Sequence, residues 1–136
     1  MNNIFEFLTP KDSTFFIEAD CTLRQALEKF CFHKFTVVPI LKGNGEYVGS
    51  VSEGDLLRHI KGVGKFDLDD AQDVDLMQIE RYRSYQSINI TSSMEQVASL
   101  LLTQNFVPVV DDRGMFIGII KRRAVMQYFM ENFSVK

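Results

Sequence analysis

The chain writes one unit twice. "GSVSEGD" at residues 49–55 returns 69 residues later as "GIIKRRA" at 118–124, and "VVPIL" at 37–41 returns at the same distance as "FVPVV" at 106–110. A repeat at fixed spacing constrains the fold more than any composition does, because both copies must take the same architecture and bury their apolar faces together. At 136 residues, of which 46% are hydrophobic, the chain is long enough for two small repeats with a sizeable core. The second copy changes the chemistry of the first: Lys121 stands for Ser52 and Ala124 for Asp55.

Each half carries the same series of elements. In "CTLRQALEKFC", apolar residues fall at Leu23, Ala26, Leu27, Phe30 and Cys31; in "SMEQVASLLL" they fall at Met94, Val97, Ala98, Leu101 and Leu102. That spacing predicts two amphipathic helices. Thr22 with Gln25, and Ser93 with Gln96, predict a capping box at the start of each. "TVVPIL" and "EYVGSV" flank the turn residues "KGNG", and "FVPVV" and "MFIGII" flank "DDRG", which predicts two hairpins. Pro39 and Pro108 cannot donate to a ladder, so a strand start or edge is expected for them. A second helix begins at "SEGDLLRHI" and at "KRRAVMQYFM", and an extended piece, "TFFIEA" or "YQSINI", precedes each long helix.

The fold class is therefore α/β (α+β), two β-α-β-β-α repeats. Residues 1–62 form the first repeat and 79–136 the second. Residues 63–78, rich in Asp, are expected to be an acidic, solvated linker with one short helical turn. The strands and second helices align at a spacing of 69, whereas the first strands and long helices align at 71.

Net charge is −3, a sign that disfavours nucleic-acid phosphates and anionic membrane surfaces. No apolar run approaches the roughly 18 residues of a membrane span, and "MNNIFEFLTP" lacks the basic and long apolar regions of a signal peptide. Cys21 and Cys31 are read as reduced core residues. A cytoplasmic protein with neither nucleic-acid nor membrane partner is expected.

No catalytic constellation stands out. Ser52 has no His near it in sequence; His33 follows an apolar helix face and His59 lies beside Arg58 on the second helix. Two Cys and two His without C-x-x-C pairing do not make a zinc site, and "KGVGK" lacks the spacing and hydroxyl of a phosphate loop. The chain is expected to be no enzyme, with no catalytic residue, no metal and no cofactor.

In "GSVSEGD", Ser52 is placed as an N-cap, where unpaired N–H groups favour an anion. Asp55, one turn in, is an acceptor suited to a ribose diol. Two readings fit: a plain capping box, or a nucleotide site with phosphate at the helix tip. "KRRA" in the second copy shows that the fold itself does not require a carboxylate there.

The doubled unit, the paired "VPI" and "VPV" strands and the Gly-h-x-Ser-x-x-Asp phrase resemble a tandem pair of cystathionine-β-synthase (CBS) domains, a Bateman module, over about Phe7 to Phe129. "QNFVPVVDDRGMFIG" is also similar to a group of small stand-alone bacterial CBS-pair proteins. The resemblance implies packing about a pseudo-twofold axis, with clefts between the repeats for an adenine nucleotide: AMP, ADP or ATP. It implies that Ser52 contacts phosphate, that Asp55 holds the ribose, and that adenine lies against Val37, Val38 and Pro39. Gly49 and Val51 line the same cleft, and the loop at Ser13 and Thr14 closes over the ligand. Arg83, Lys121 and Arg122 are candidate phosphate contacts of the second cleft, with Arg81 and Arg123 beside them; the other reading of that cleft is a drifted, empty site.

The expected function is a non-catalytic regulatory module that binds an adenine nucleotide and signals to a regulated protein by changing shape. A ligand-free dimerisation or assembly module, and a cyclic-dinucleotide receptor using the same cleft, are the alternatives. Leu56, Leu57, Ile60, Val125, Met126 and Phe129 leave the second helices apolar, and related modules pair through such helices, so a homodimer is expected.

Overall fold

The computed structural model describes residues 3–33, 36–63, 68–81 and 85–133. Arg83 and residues 64–67 of the expected linker lie outside them.

The chain forms two compact units, Phe15–Ser84 and Met1–Thr14 with Tyr85–Lys136. They are not the two sequence repeats. Each unit takes the segment that opens one repeat and joins it to the body of the other.

In the unit of residues 15–84, a three-stranded sheet runs in the order β2 (Ile17–Glu18), β3 (Val37–Leu41), β4 (Tyr47–Ser52). β2 is parallel to β3, and β3 pairs antiparallel with β4. Helix α1 (Leu23–His33) starts where predicted: Thr22 N–H donates to Gln25 Oε1 at 2.9 Å and Gln25 N–H to Thr22 Oγ1 at 3.2 Å. It buries Leu23, Ala26 and Phe30, with Leu27 half-buried against the same core. Helix α2 (Glu53–Val63) follows β4 directly and adds Leu56 to that core.

The expected solvated linker also reaches the core: among its described residues Ala71 and Leu76 are buried, while most of the others are exposed. α3 (Leu68–Ala71) and a 3₁₀ turn at Leu76–Gln78 bury Ala71, Leu76 and Ile79 with α1 and the sheet. Leu23 N–H donates to the Val74 carbonyl at 2.8 Å, and Leu76 N–H to that of Cys21 at 2.9 Å. Asp69, Asp70, Asp73 and Asp75 are exposed, so the acidic composition belongs to one face of a segment whose other face is apolar. Burying Leu76 alone contributes about 1.5–3 kcal/mol.

The second unit contains the four-stranded sheet β1 (Leu8–Pro10), β7 (Phe116–Lys121), β6 (Phe106–Val110), β5 (Ile88–Asn89). β5 is parallel to β6, and β1 runs antiparallel on the outer edge of β7, with Leu8 opposite Ile120 and Pro10 opposite Gly118. α4 (Met94–Leu101) begins at the predicted Ser93–Gln96 capping box, and α5 (Arg122–Phe133) follows β7. Val97, Val107, Val109, Ile120 and Val125 form the core with Ile4 and Phe7 of the N-terminal 3₁₀ turn.

Two expectations need correction. Pro39 and Pro108 lie within β3 and β6, each flanked by a strand on both sides. The Thr36 carbonyl accepts from Glu53 N–H beyond β4, whereas the Leu41 carbonyl accepts from Ala19 N–H beyond β2. By alternation, the Pro39 nitrogen faces the β2 side, where pairing begins only at Ile40. A two-residue flanking strand thus leaves the missing donor without consequence, and the same holds for Pro108 beside β5. Cys31 is exposed, because the apolar face of α1 ends at Phe30. Cys21 is buried and free, and burial is the main cause that raises its thiol pKa.

Candidate functional site

The junction of β4 and α2 carries the first copy of the repeated phrase. Ser52 ends the strand and Glu53 begins the helix. Ser52 N–H donates to Asp55 Oδ2 at 2.9 Å, and Asp55 N–H donates to Ser52 Oγ at 3.0 Å. This is a reciprocal capping box. Arg58 Nη2 donates to Asp55 Oδ1 at 2.7 Å, one helical turn further on. Asp55 is 2% exposed, while the Arg58 side chain is 53% exposed. The capping reading is therefore realised, and any ribose hydroxyl must share the Asp55 oxygens with Ser52 and Arg58.

The neighbouring residues divide by face. Val38 and Val51 sit opposite each other in the ladder and are sealed in the core, so only their backbones are available to a ligand. Val37 and Pro39 alternate with them on the other face; Val37 is half-buried and Pro39 buried. Gly49 has φ 147° at a bulge in β4, where Val48 is the extra residue. A Cβ there would collide with the Arg81 guanidinium.

Arg81 thus lies in the same unit as Ser52 and Asp55, and Arg122 and Arg123 lie in the other. Ser13 and Thr14 lie in the other unit, where the 3₁₀ turn Lys11–Ser13 packs on β7 and Thr14 Oγ1 donates to the Pro10 carbonyl at 2.9 Å. The structure accordingly sets Ser13 and Thr14 beside the strand that leads to Lys121 and Ala124.

The second copy replaces the capping box by a different clasp. Arg122 Nε donates to the Leu101 carbonyl at 2.8 Å and its Nη2 to that of Gln104 at 2.9 Å. The guanidinium satisfies carbonyls at and just beyond the C-terminal end of α4, a favourable place for a cation. Lys121 is exposed, and Ala124 is half-buried. The buried amide of Gln104 accepts from Gln86 N–H at 2.8 Å and donates to the Gln86 and Phe106 carbonyls, both at 3.1 Å, tying the lead-in of β5 to β6. Sequence reading missed Gln104, whose partners lie in segments that only the fold brings together. Among the described residues, no group of three or more His, Cys, Asp or Glu is placed to hold a metal ion.

Residues 6–62 and 79–131 each match the family model of the CBS domain. The chain belongs to the CBS-domain family. It is 28% identical over 145 residues to CBS domain-containing protein CBSX2, chloroplastic, of Arabidopsis thaliana, covering 90% of this chain and 61% of that relative's length. The structure of CBSX2 in complex with AMP superposes with a TM-score of 0.75 at 25% identity, over 96% of this chain and 98% of that one. CbpB of Listeria monocytogenes, solved in complex with c-di-AMP, shares the fold with a TM-score of 0.87 at 20% identity, over 99% of this chain and 100% of that one. The chain is a CBS-domain pair.

Proposed function

We propose that this CBS pair is a non-catalytic, cytoplasmic regulatory module that binds a phosphate-bearing adenine ligand at the β4–α2 junction. The carrying observation is the asymmetry between the copies. One keeps a hydroxyl and a buried carboxylate at the start of a helix; the other has Lys121 and Ala124 and closes with Arg122 instead. Two proteins similar to this one were solved with AMP and with c-di-AMP, which share an adenosine phosphate. An exposed helix start with a neighbouring carboxylate suits that shared part. Calorimetric titration with AMP, ADP, ATP and c-di-AMP tests the reading. At least one should bind with a stoichiometry of one site per β4–α2 junction, and heat from none of them would refute it.

An assembly role has its own support. Leu57, Met126, Phe129 and Met130 are exposed on α2 and α5, an apolar display that a second copy would cover. Sedimentation at tens of micromolar should give a dimer; a dimer with no ligand heat would favour the assembly reading alone. No helix among the described residues is long and apolar enough to cross a membrane.

A further inference from the structure

The two units close one sheet edge differently. On the outer edge of β7, β1 is zipped into a ladder, and a Cβ on Gly118 would collide with the Thr9 carbonyl. The counterpart of β1 at the 71-residue spacing is 79–81, and that segment lies beside β4 in the other unit. Among the described residues it forms no ladder with β4. A recess of about 400 Å³ lies there instead, lined by Gly49, Ser50, Gln78, Glu80 and Arg81 among others.

Arg81 is half-buried and makes no hydrogen bond or ion pair among the described residues. A guanidinium withdrawn from water normally has an anion or a set of acceptors. The other polar groups are engaged: Gln78 Oε1 accepts from Asp75 N–H at 2.9 Å, and Ser50 Oγ lies 2.8 Å from the Tyr47 hydroxyl. Glu80 lines the recess but forms no ion pair with Arg81. Gly49, lacking a Cβ, gives the guanidinium its close approach to the backbone of β4.

We propose that this recess is a phosphate subsite anchored by Arg81. The planar fork of Arg matches two oxygens of one phosphate, and the volume admits the group together with part of its ester. The proposal rests on the nucleotide reading only for which molecule brings the phosphate.

The test compares wild type with Arg81→Gln and Arg81→Lys in calorimetric titrations with inorganic pyrophosphate, adenosine, AMP and ATP. Urea unfolding should give the same midpoint for all three proteins, since Arg81 makes no hydrogen bond or ion pair among the described residues. Arg81→Gln should weaken pyrophosphate and ATP by about 10- to 100-fold and adenosine by less than about threefold, with Arg81→Lys in between. Competition between pyrophosphate and ATP would assign the phosphate to the nucleotide; a loss confined to pyrophosphate would assign it to a free inorganic anion. If no adenine compound binds yet pyrophosphate binds through Arg81, the subsite stands and the nucleotide reading falls. Nucleotide and pyrophosphate affinities indifferent to Arg81→Gln would overturn the subsite and leave the nucleotide reading intact.

Discussion

Asp55 is where fold and proposed binding meet, so its removal has two separable costs. Asp55→Ala deletes the acceptor of Ser52 N–H, a half-buried donor that then lacks its partner. Such a loss costs about 1–3 kcal/mol. The favourable charge in the first turn of α2 adds about 0.3–1 kcal/mol. The Arg58 pair adds little, because Arg58 is 53% exposed and water replaces the carboxylate. A total of about 1.3–4 kcal/mol is expected, above the roughly 1 kcal/mol of an ordinary cap. Asp55→Asn keeps an oxygen for Ser52 N–H and should cost about 1 kcal/mol. Urea unfolding reads both numbers, and a domain of this size retains a folded state after either. Both variants should weaken nucleotide binding by about 10- to 150-fold, the worth of a charge-assisted hydrogen bond. A stability loss below about 0.5 kcal/mol for Asp55→Ala would refute the capping geometry. Unchanged affinity in both folded variants would reduce Asp55 to a helix cap.

Three further outcomes follow from particular contacts. Arg122→Ala should destabilise the chain by about 1–3 kcal/mol in urea, since it strips charged donors from the Leu101 and Gln104 carbonyls, whereas Lys121→Ala should change stability by less than about 0.5 kcal/mol. Leu101→Ala should cost about 2–5 kcal/mol and the half-buried Leu27→Ala distinctly less; equal losses would contradict the burial difference between them. Asp111 in the β6–β7 turn accepts Met115 N–H and also Arg113 N–H, which hold its carboxyl below the ordinary 3.8. A lowered folded pKa stabilises above the unfolded value and is lost as pH falls through the folded one, so an unfolding midpoint followed below about pH 4 should fall less steeply in Asp111→Asn than in wild type.

What the sequence revealed was local. The capping boxes at Thr22 and Ser93 and the hairpins rest on contacts within a few residues, and short-range pattern is enough to place them. Burial of Ala71 and Leu76, and of Ile79 just after them, was not local: five Asp between 67 and 75 dominated the composition, while each of these apolar residues has its partners only in the folded core. The carbonyl contacts of Arg122 were not legible for the same reason. Its acceptors, Leu101 and Gln104, lie on the far side of a hairpin strand, and a basic run reads the same in sequence whether it binds phosphate or caps a helix.

The exchange of opening segments was not legible either, and it changes which residues share a unit. Leu8, Thr9 and Pro10 are three residues whose pattern fits either β4 or β7, so no local signal chooses between them; the ladder in the structure does, and it chooses β7. By the same exchange, 79–81 goes to β4. Ser13 and Thr14 share a unit with Lys121 and Ala124, and Arg81 shares one with Ser52 and Asp55. The copy that kept the carboxylate is thus also the one that gained an arginine without a counter-ion among the described residues, beside the glycine that admits it. The two copies thus differ in polar groups in both units: Arg81 beside the Ser52–Asp55 box in one, and Lys121, Ala124 and the Arg122 clasp in the other. That is the pattern expected if one unit carries the ligand and the other has settled into structure, with Arg122 in place of the cap it lost.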